Sequence, residues 1–213
     1  ALIPIVGDVK HVAGVLVKEL EGMEWPAERT AEWLARITGR KEEYPLSYED
    51  PGDGKLAPQL VIEEIDRVTA HDAIVCTDVG QHQMWATQYY TFTFPRQLIS
   101  SGGLGTMGFG LPASIGAKIG RPDKTVVDIS GDGGFQMTVQ ELATAMSCGL
   151  PIVVCILNNG CLGMVRQWQD LFWSKRYSCT SIETQPDFKR LAEAYGVFGA
   201  TATEKDEIEP ALR

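Results

Sequence analysis

The run Gly131-Asp132-Gly133-Gly134 follows the strand formers Thr125-Val126-Val127-Asp128-Ile129-Ser130 and sets one carboxylate among glycines at the end of an apolar segment. Asp and Gly are the commonest turn formers, so a plain turn is one reading. A binding site is the other, because glycine lets the backbone approach a ligand and a carboxylate holds a hard cation. The next apolar run, 152–157, ends in Asn158-Asn159-Gly160. As neighbouring parallel strands, the two runs would aim Asp132 and Asn159 into one crevice beyond their carboxyl ends. A carboxylate, an amide oxygen and a backbone carbonyl form the sparse oxygen set that Mg²⁺ completes with phosphate and water. Free amides at Gly133 and Gly134 then serve the phosphate oxygens. A lone G-D-G is more often a turn; one followed by a capped helix, a second apolar strand and N-N-G is rarer by chance.

The elements that must position these residues are legible in outline. Residues 8–21 read as a helix, with Asp8 as cap, a stripe of Val9, Val12, Leu16 and Leu20, and Gly22 as stop. A second helix spans about 27–39 and carries Trp33, Leu34 and Ile37, before a polar, turn-rich stretch over 41–55. From Pro58 the pattern turns to βα alternation. A helix opens at that proline and runs through Thr69, and strands follow at 73–77 and 98–100. A Gly- and Ala-rich helix reaches Gly120. Strands at 125–130 and 152–157 flank a helix opened by the capping box Thr138-Val139-Gln140-Glu141 and closed by Gly149 and Pro151. Two more helices lie near 164–173 and 187–195. This alternation specifies an α/β fold, a parallel sheet covered by helices on both faces.

The chain's 213 residues suffice for one large domain, or one and a fraction. A net charge of −9 argues against nucleic acid or an anionic membrane as the main partner. No apolar run approaches the roughly 18 residues of a membrane span. The start, Ala1-Leu2-Ile3-Pro4-Ile5-Val6, lacks a basic flank and an initiator Met, and reads as a processed chain or an excised piece rather than a secretory signal. Cys76, Cys148, Cys155, Cys161 and Cys179 form no C-x-x-C pair and are expected to be reduced, mostly buried thiols of a cytosol-like compartment.

A second glycine motif competes with the first. Gly103-Leu104-Gly105-Thr106-Met107-Gly108 fits G-x-G-x-x-G. A dinucleotide site would want an acid ending the next strand, whereas Asp128 falls inside its strand.

Gly131-Asp132-Gly133, then 24 residues, then Asn158-Asn159 resembles the thiamine-diphosphate signature, with Gly116, Pro122 and Val127-Asp128-Ile129-Ser130 where that signature expects them. The stretches "DVGQHQMWA", "SSGGLGTMGFGLPASIGAKIG" and "LNNGCLGMVRQWQDLFW" resemble the acetolactate synthase catalytic subunit family, as does the linker "KEEYPLSYEDPGDGKLAPQ". The resemblance covers nearly the whole chain.

It implies a thiamine-diphosphate-binding fold in which 1–55 is the end of a middle domain plus a helical linker. Residues 56–213 would be the diphosphate- and Mg²⁺-binding domain, without its last strand. The N-terminal pyrimidine-binding domain, and the glutamate it contributes to catalysis, would lie outside this chain, so that the isolated piece is expected to be inactive. Asp132, the Asn159 side chain and the Cys161 carbonyl would ligate Mg²⁺. Val79, Gly80, Gln81, His82, Gly131, Gly133, Gly134 and Gly163 would line the cofactor. Gly105 would offer a carbonyl to the cofactor's amino group, and Met107 would be the wedge that bends it. Met164, Val165 and Trp168 would flank the substrate. The implied activity joins pyruvate, with loss of CO₂, to a second pyruvate or to 2-oxobutyrate, in a cytoplasmic or organellar homo-oligomer (dimer or tetramer). The family also carries FAD, and many members bind a regulatory subunit. Other readings stand beside it: another thiamine-diphosphate decarboxylase or carboligase such as glyoxylate carboligase, a nicotinamide dehydrogenase using the 103–108 glycines, or a non-enzymatic scaffold.

Overall fold

The computed structural model describes residues 3–24, 26, 28–52 and 54–212, in two compact units, Ala1–Ser47 and Tyr48–Arg213. In the first unit Asp8 accepts a hydrogen bond from the His11 amide (3.0 Å) and opens α1 (Val9–Glu21), with Gly22 at its C-cap. The second helix of this unit, α2 (Glu28–Glu43), runs four residues beyond the sequence expectation of 39. Neither helix has a buried residue, although Val15, Leu16, Val17, Leu20, Trp33, Leu34 and Ile37 are apolar.

The second unit opens with α3 (Pro58–Val68), whose proline sits where a helix leaves its amide unpaired anyway. There follow β1 (Ile74–Thr77), α4 (Gln81–Tyr89), β2 (Leu98–Ser100), α5 (Gly110–Gly120), β3 (Val126–Gly131), α6 (Asp132–Met137), α7 (Glu141–Ser147), β4 (Val153–Leu157), α8 (Gly163–Phe172), α9 (Phe188–Ala194) and α10 (Lys205–Leu212). The four strands form one sheet, ordered β2-β1-β3-β4 and parallel throughout. Val127 pairs with Val153 and Gly131 with Leu157, so β3 and β4 are the neighbours the sequence implied.

Alternation along the strands sorts the core into two layers. Val75, Val127 and Ile129 pack with Ile62, Ile65, Ala86 and Ile208 on one face. On the other face Val154 and Ile156 pack with Leu111, Ile115, Phe135, Leu142 and Ala145. The sheet is therefore covered on both sides, which explains why its central strands read as unbroken apolar runs. Among the described residues no helix is long and apolar enough to cross a membrane.

Three local expectations need correction. Thr138 does not cap a helix with Glu141: its hydroxyl donates to the Gly108 carbonyl (3.0 Å), and α7 starts at Glu141 with no side-chain cap. The tertiary bond outcompetes the local one, and Glu141 instead accepts from the Thr144 hydroxyl (2.8 Å). The end of α7 does follow expectation. Gly149, at φ +60, closes a Schellman turn in which its amide reaches Met146 and that of Leu150 reaches Ala145. The cysteines are all free, but only Cys76 is buried; Cys148 and Cys179 are exposed. Lastly, α4, α6 and α10 were not foreseen. The first lacks amphipathic spacing, and the second is a six-residue helix inside the glycine run.

Candidate functional site

The crevice is built where β1 and β3, paired neighbours, each end in an aspartate. After Thr77 the chain places Asp78 fully inside the protein, its amide donating to the Ile129 carbonyl (3.0 Å). Its Oδ1 accepts from the amides of Gly108 (2.6 Å) and Phe109 (3.0 Å). Phe109 is the N-cap of α5 and brings no capping side chain, so a residue from a different strand end satisfies the helix. Asp78 Oδ2 has no partner among the described residues, and burial raises the carboxyl above its ordinary value. A Cβ on Gly134 would stand 1.3 Å from that oxygen, so Gly134 is glycine to make room for Asp78. Beneath lies Asp128, completely buried, with Ser130 Oγ donating to it at 2.9 Å; burial pushes its carboxyl up to about 8. A Cβ on Gly110 would meet Asp128 Oδ1 at 2.3 Å.

His82, in the first turn of α4, slots its ring between Gly80 and Gly131. Added Cβ atoms there would lie 2.6 and 2.9 Å from its Cε1. Burial drives the imidazole down to about 4, against the opposing effect of its bond to the Asp78 backbone, so the ring is neutral at pH 7. Its Nε2 and Asp78 Oδ2 are the two buried side-chain atoms without a partner among the described residues.

Asp132 opens α6 at 1% exposure. Its Oδ2 accepts from the Gly160 amide (3.0 Å) and from Gln185 Nε2. Asn159 stands exposed at the end of β4, with its Oδ1 turned to the Cys161 amide (3.0 Å). Gly163 leaves room for two side chains, since a Cβ there would lie 2.2 Å from Gln81 Oε1 and 2.8 Å from Asn159 Nδ2. Gln81 continues to Gln167 on α8 (3.0 Å). The Met107 methyl comes within 3.7 Å of where Gly133 would carry a Cβ, beside Leu162 and Ile182 at 3.0 Å. Gly105, at φ +65, is exposed, and a Cβ there would lie 4.0 Å from Val79 Cγ1.

Thus Gln81, His82, Met107, Gly131, Asp132, Gly133, Asn159 and Gly163 converge on the carboxyl ends of β1, β3 and β4. The outer residues are joined less directly. Met164 is half-buried, whereas Val165 and Trp168 are 50% and 59% exposed, so they are surface rather than core. Trp168 packs edge-on against Phe172 (6.3 Å between ring centres). Two residues of the site escaped sequence reasoning. Asp78 had a signal, an acid ending a strand before Val79-Gly80. Gln185 had none, being brought back by a long excursion through α8.

Among the described residues no group of three or more His, Cys, Asp or Glu is arranged for a metal. A cation here would meet one carboxylate and neutral oxygens, a donor set that suits Mg²⁺ rather than Zn²⁺. The residues fit such a group: among the described residues Asp132 Oδ1 accepts no hydrogen bond and His82 Nε2 has no partner, and glycines open the approach.

Residues 78–213 match the family model described as thiamine pyrophosphate enzyme, C-terminal TPP binding domain. The chain is 48% identical to the acetolactate synthase large subunit of Corynebacterium glutamicum, over 99% of this chain and 34% of that protein. It is 47% identical to the acetolactate synthase isozyme 3 large subunit of Escherichia coli, over 99% of this chain and 37% of that one. Against the mitochondrial acetolactate synthase catalytic subunit of Saccharomyces cerevisiae the figures are 44%, 99% and 31%. The chain spans about a third of the length of these curated relatives.

Proposed function

The chain belongs to the thiamine pyrophosphate enzymes, as their C-terminal TPP binding domain, and from that premise we propose that its full-length protein is an acetolactate synthase. The reaction is the condensation of pyruvate with a second pyruvate or with 2-oxobutyrate, with loss of CO₂. The observation that carries this reading is the pairing of β3 with β4, which sets Asp132, with a free Oδ1, beside the Asn158-Asn159-Gly160 turn. Likeness to proteins named acetolactate synthase over almost the whole chain supports the choice within the family.

In this reading Asp132, the Asn159 amide oxygen and the Cys161 carbonyl hold Mg²⁺, the Asn159 oxygen using one lone pair for the cation and the other for the Cys161 amide. Gly80, Gln81, His82, Gly133 and Gly163 bind the diphosphate; Val79, Gly105 and Met107 enclose the rest of the cofactor. Thiamine diphosphate, when bound, supplies a nucleophilic thiazolium carbon and an electron sink for decarboxylation. The residues of this chain bind and orient, while proton transfer to the aminopyrimidine falls to a pyrimidine-binding domain of another subunit. Met164, Val165 and Trp168 present an apolar wall to the acceptor 2-oxo acid. FAD, a homo-oligomer, a regulatory subunit and a cytoplasmic or organellar setting complete the proposal.

The test is Asp132→Asn in the full-length protein, titrated calorimetrically with thiamine diphosphate at fixed Mg²⁺. The variant keeps size and turn propensity but loses the charge that draws the cation from water. Cofactor binding should weaken by more than the 10–100-fold typical of supporting groups around a metal, with the fold intact. Undiminished binding would reduce the glycine run to a turn.

A further inference from the structure

Gln185 reaches Asp132 from the loop that leads into α9. It is half-buried, whereas its neighbours Thr184 and Pro186 are exposed. Two backbone bonds fix the stems of the excursion that carries it: Leu162 N to Thr180 O and Ile182 N to Gly160 O, both 2.8 Å. The excursion therefore leaves the site at Gly160 and returns to it at Gln185, and both residues donate to the same oxygen, Asp132 Oδ2.

We propose that Gln185 is a positioning residue for the cation: with the Gly160 amide it holds Asp132 Oδ2 and leaves Oδ1 directed at the metal. The proposal rests on the reading that Asp132 ligates a divalent cation. The terminal torsion of an aspartate is broad and roughly two-fold, so an unheld carboxylate presents either oxygen over a range of angles. Two donors from different segments converging on one oxygen remove that freedom. Ligating carboxylates are commonly fixed by such partners. A neutral amide suits the task, because it donates a hydrogen bond without placing a full positive charge beside the cation.

The experiment uses Gln185→Met in the full-length protein, which keeps side-chain length and removes the donor. Mn²⁺ with thiamine diphosphate is the probe, read from the electron paramagnetic resonance of free Mn²⁺. Affinity should fall 10–100-fold. Gln185→Asn, which keeps an amide one methylene short, should lie between Gln185→Met and the parent. Thermal unfolding without metal is measured alongside. A merely structural Gln185 lowers that midpoint and leaves the Mn²⁺ affinity of the folded protein unchanged, which overturns the proposal. A rise in affinity, the mark of an amide that competes with the cation, overturns it too. Asp132→Asn separates the two levels. If Asp132→Asn loses Mn²⁺ while Gln185→Met keeps it, only the inference fails; if Asp132→Asn binds as the parent does, the metal reading itself fails.

Discussion

Asp78 and Asp132 stand at the ends of adjacent parallel strands, both buried, and do different chemistry. Asp78 spends Oδ1 on two backbone amides of the turn before α5 and leaves Oδ2 sealed against Gly134. Asp132 spends Oδ2 on a backbone amide and a side-chain amide and leaves Oδ1 without a hydrogen bond among the described residues. The first carboxylate caps a helix and fixes the turn that carries Met107. The second keeps one oxygen available for the cation we propose. The donors around a buried acid, rather than its burial, decide whether it is scaffold or site.

The glycines beside these acids give the largest expected effect and the sharpest way to break the contrast. Gly134→Ala puts a methyl 1.3 Å from Asp78 Oδ2, and Asp78 is pinned by Gly108 and Phe109 and cannot retreat. Overpacking usually costs about 1–3 kcal/mol, and here we expect the top of that range or more. Gly133→Ala meets only side-chain ends at 3.0 Å, from Leu162 and Ile182, which can rotate. Its unfolding free energy should change by less than about 1 kcal/mol. Urea unfolding of the two variants checks the claim that Gly134 serves Asp78 and Gly133 serves the ligand; equal losses would erase the distinction.

The next effect follows from protonation under Asp78. Asp128 has an ordinary value of 3.8 and is pushed up to about 8 by burial, so between these values the folded state holds a proton that the unfolded state has released. Stability from this group is full below the lower value and falls as pH rises through the upper one. His82 runs the other way: moved from 6.5 down to about 4 by burial, it adds stability as pH rises through that window. The two slopes oppose each other up to 6.5, and from there to about 8 the slope of Asp128 stands without its counterweight. One proton is worth about 1.4 kcal/mol per pH unit, so Asp128 accounts for a loss of about 2 kcal/mol over that stretch. Asp128→Asn should flatten the fall by that amount in urea titrations at pH 6.5, 7.2 and 8; an unchanged slope would show that Asp128 is ionised when folded.

Much of this layout was legible in the sequence because parallel strands buried on both faces leave long apolar runs, and glycine, proline and aspartate mark their ends. Asp132 and Asn159 followed from those ends and from the right-handed crossover between β3 and β4. The capping box at Thr138 misled because a local pattern cannot reveal that the Gly108 carbonyl, 30 residues earlier, takes the hydroxyl. Asp78 was passed over because its partners come from the far side of α4 and β2. Gln185 had no signal at all, since its relation to Asp132 spans 53 residues and exists only once α8 has folded out and back. The family resemblance supplied roles for His82, Met107 and Trp168 that their spacing alone left as structural histidine, helix packing and core stripe.

The smallest expected effect tests whether a site residue acts through its side chain at all. Cys161 sits between Asn159 and Gly163 and forms an antiparallel bridge with Ser181. What it offers the site is main chain. Its amide holds Asn159 Oδ1 at 3.0 Å, and its carbonyl is the third proposed ligand of the cation. Its thiol is free and half-buried, and it makes no hydrogen bond among the described residues. Alanine keeps the amide, the carbonyl and the backbone preference, and removes one polarizable atom from a partly solvated position. Cys161→Ala should therefore leave Mn²⁺ affinity within about two-fold and stability within about 0.5 kcal/mol, the ordinary range for substitutions away from special features. Mn²⁺ titration and urea unfolding of the variant, run beside Asp132→Asn, provide the check. A tenfold loss of Mn²⁺ binding would make the thiol itself a ligand and would move the site from oxygen donors toward a soft, sulfur-containing set.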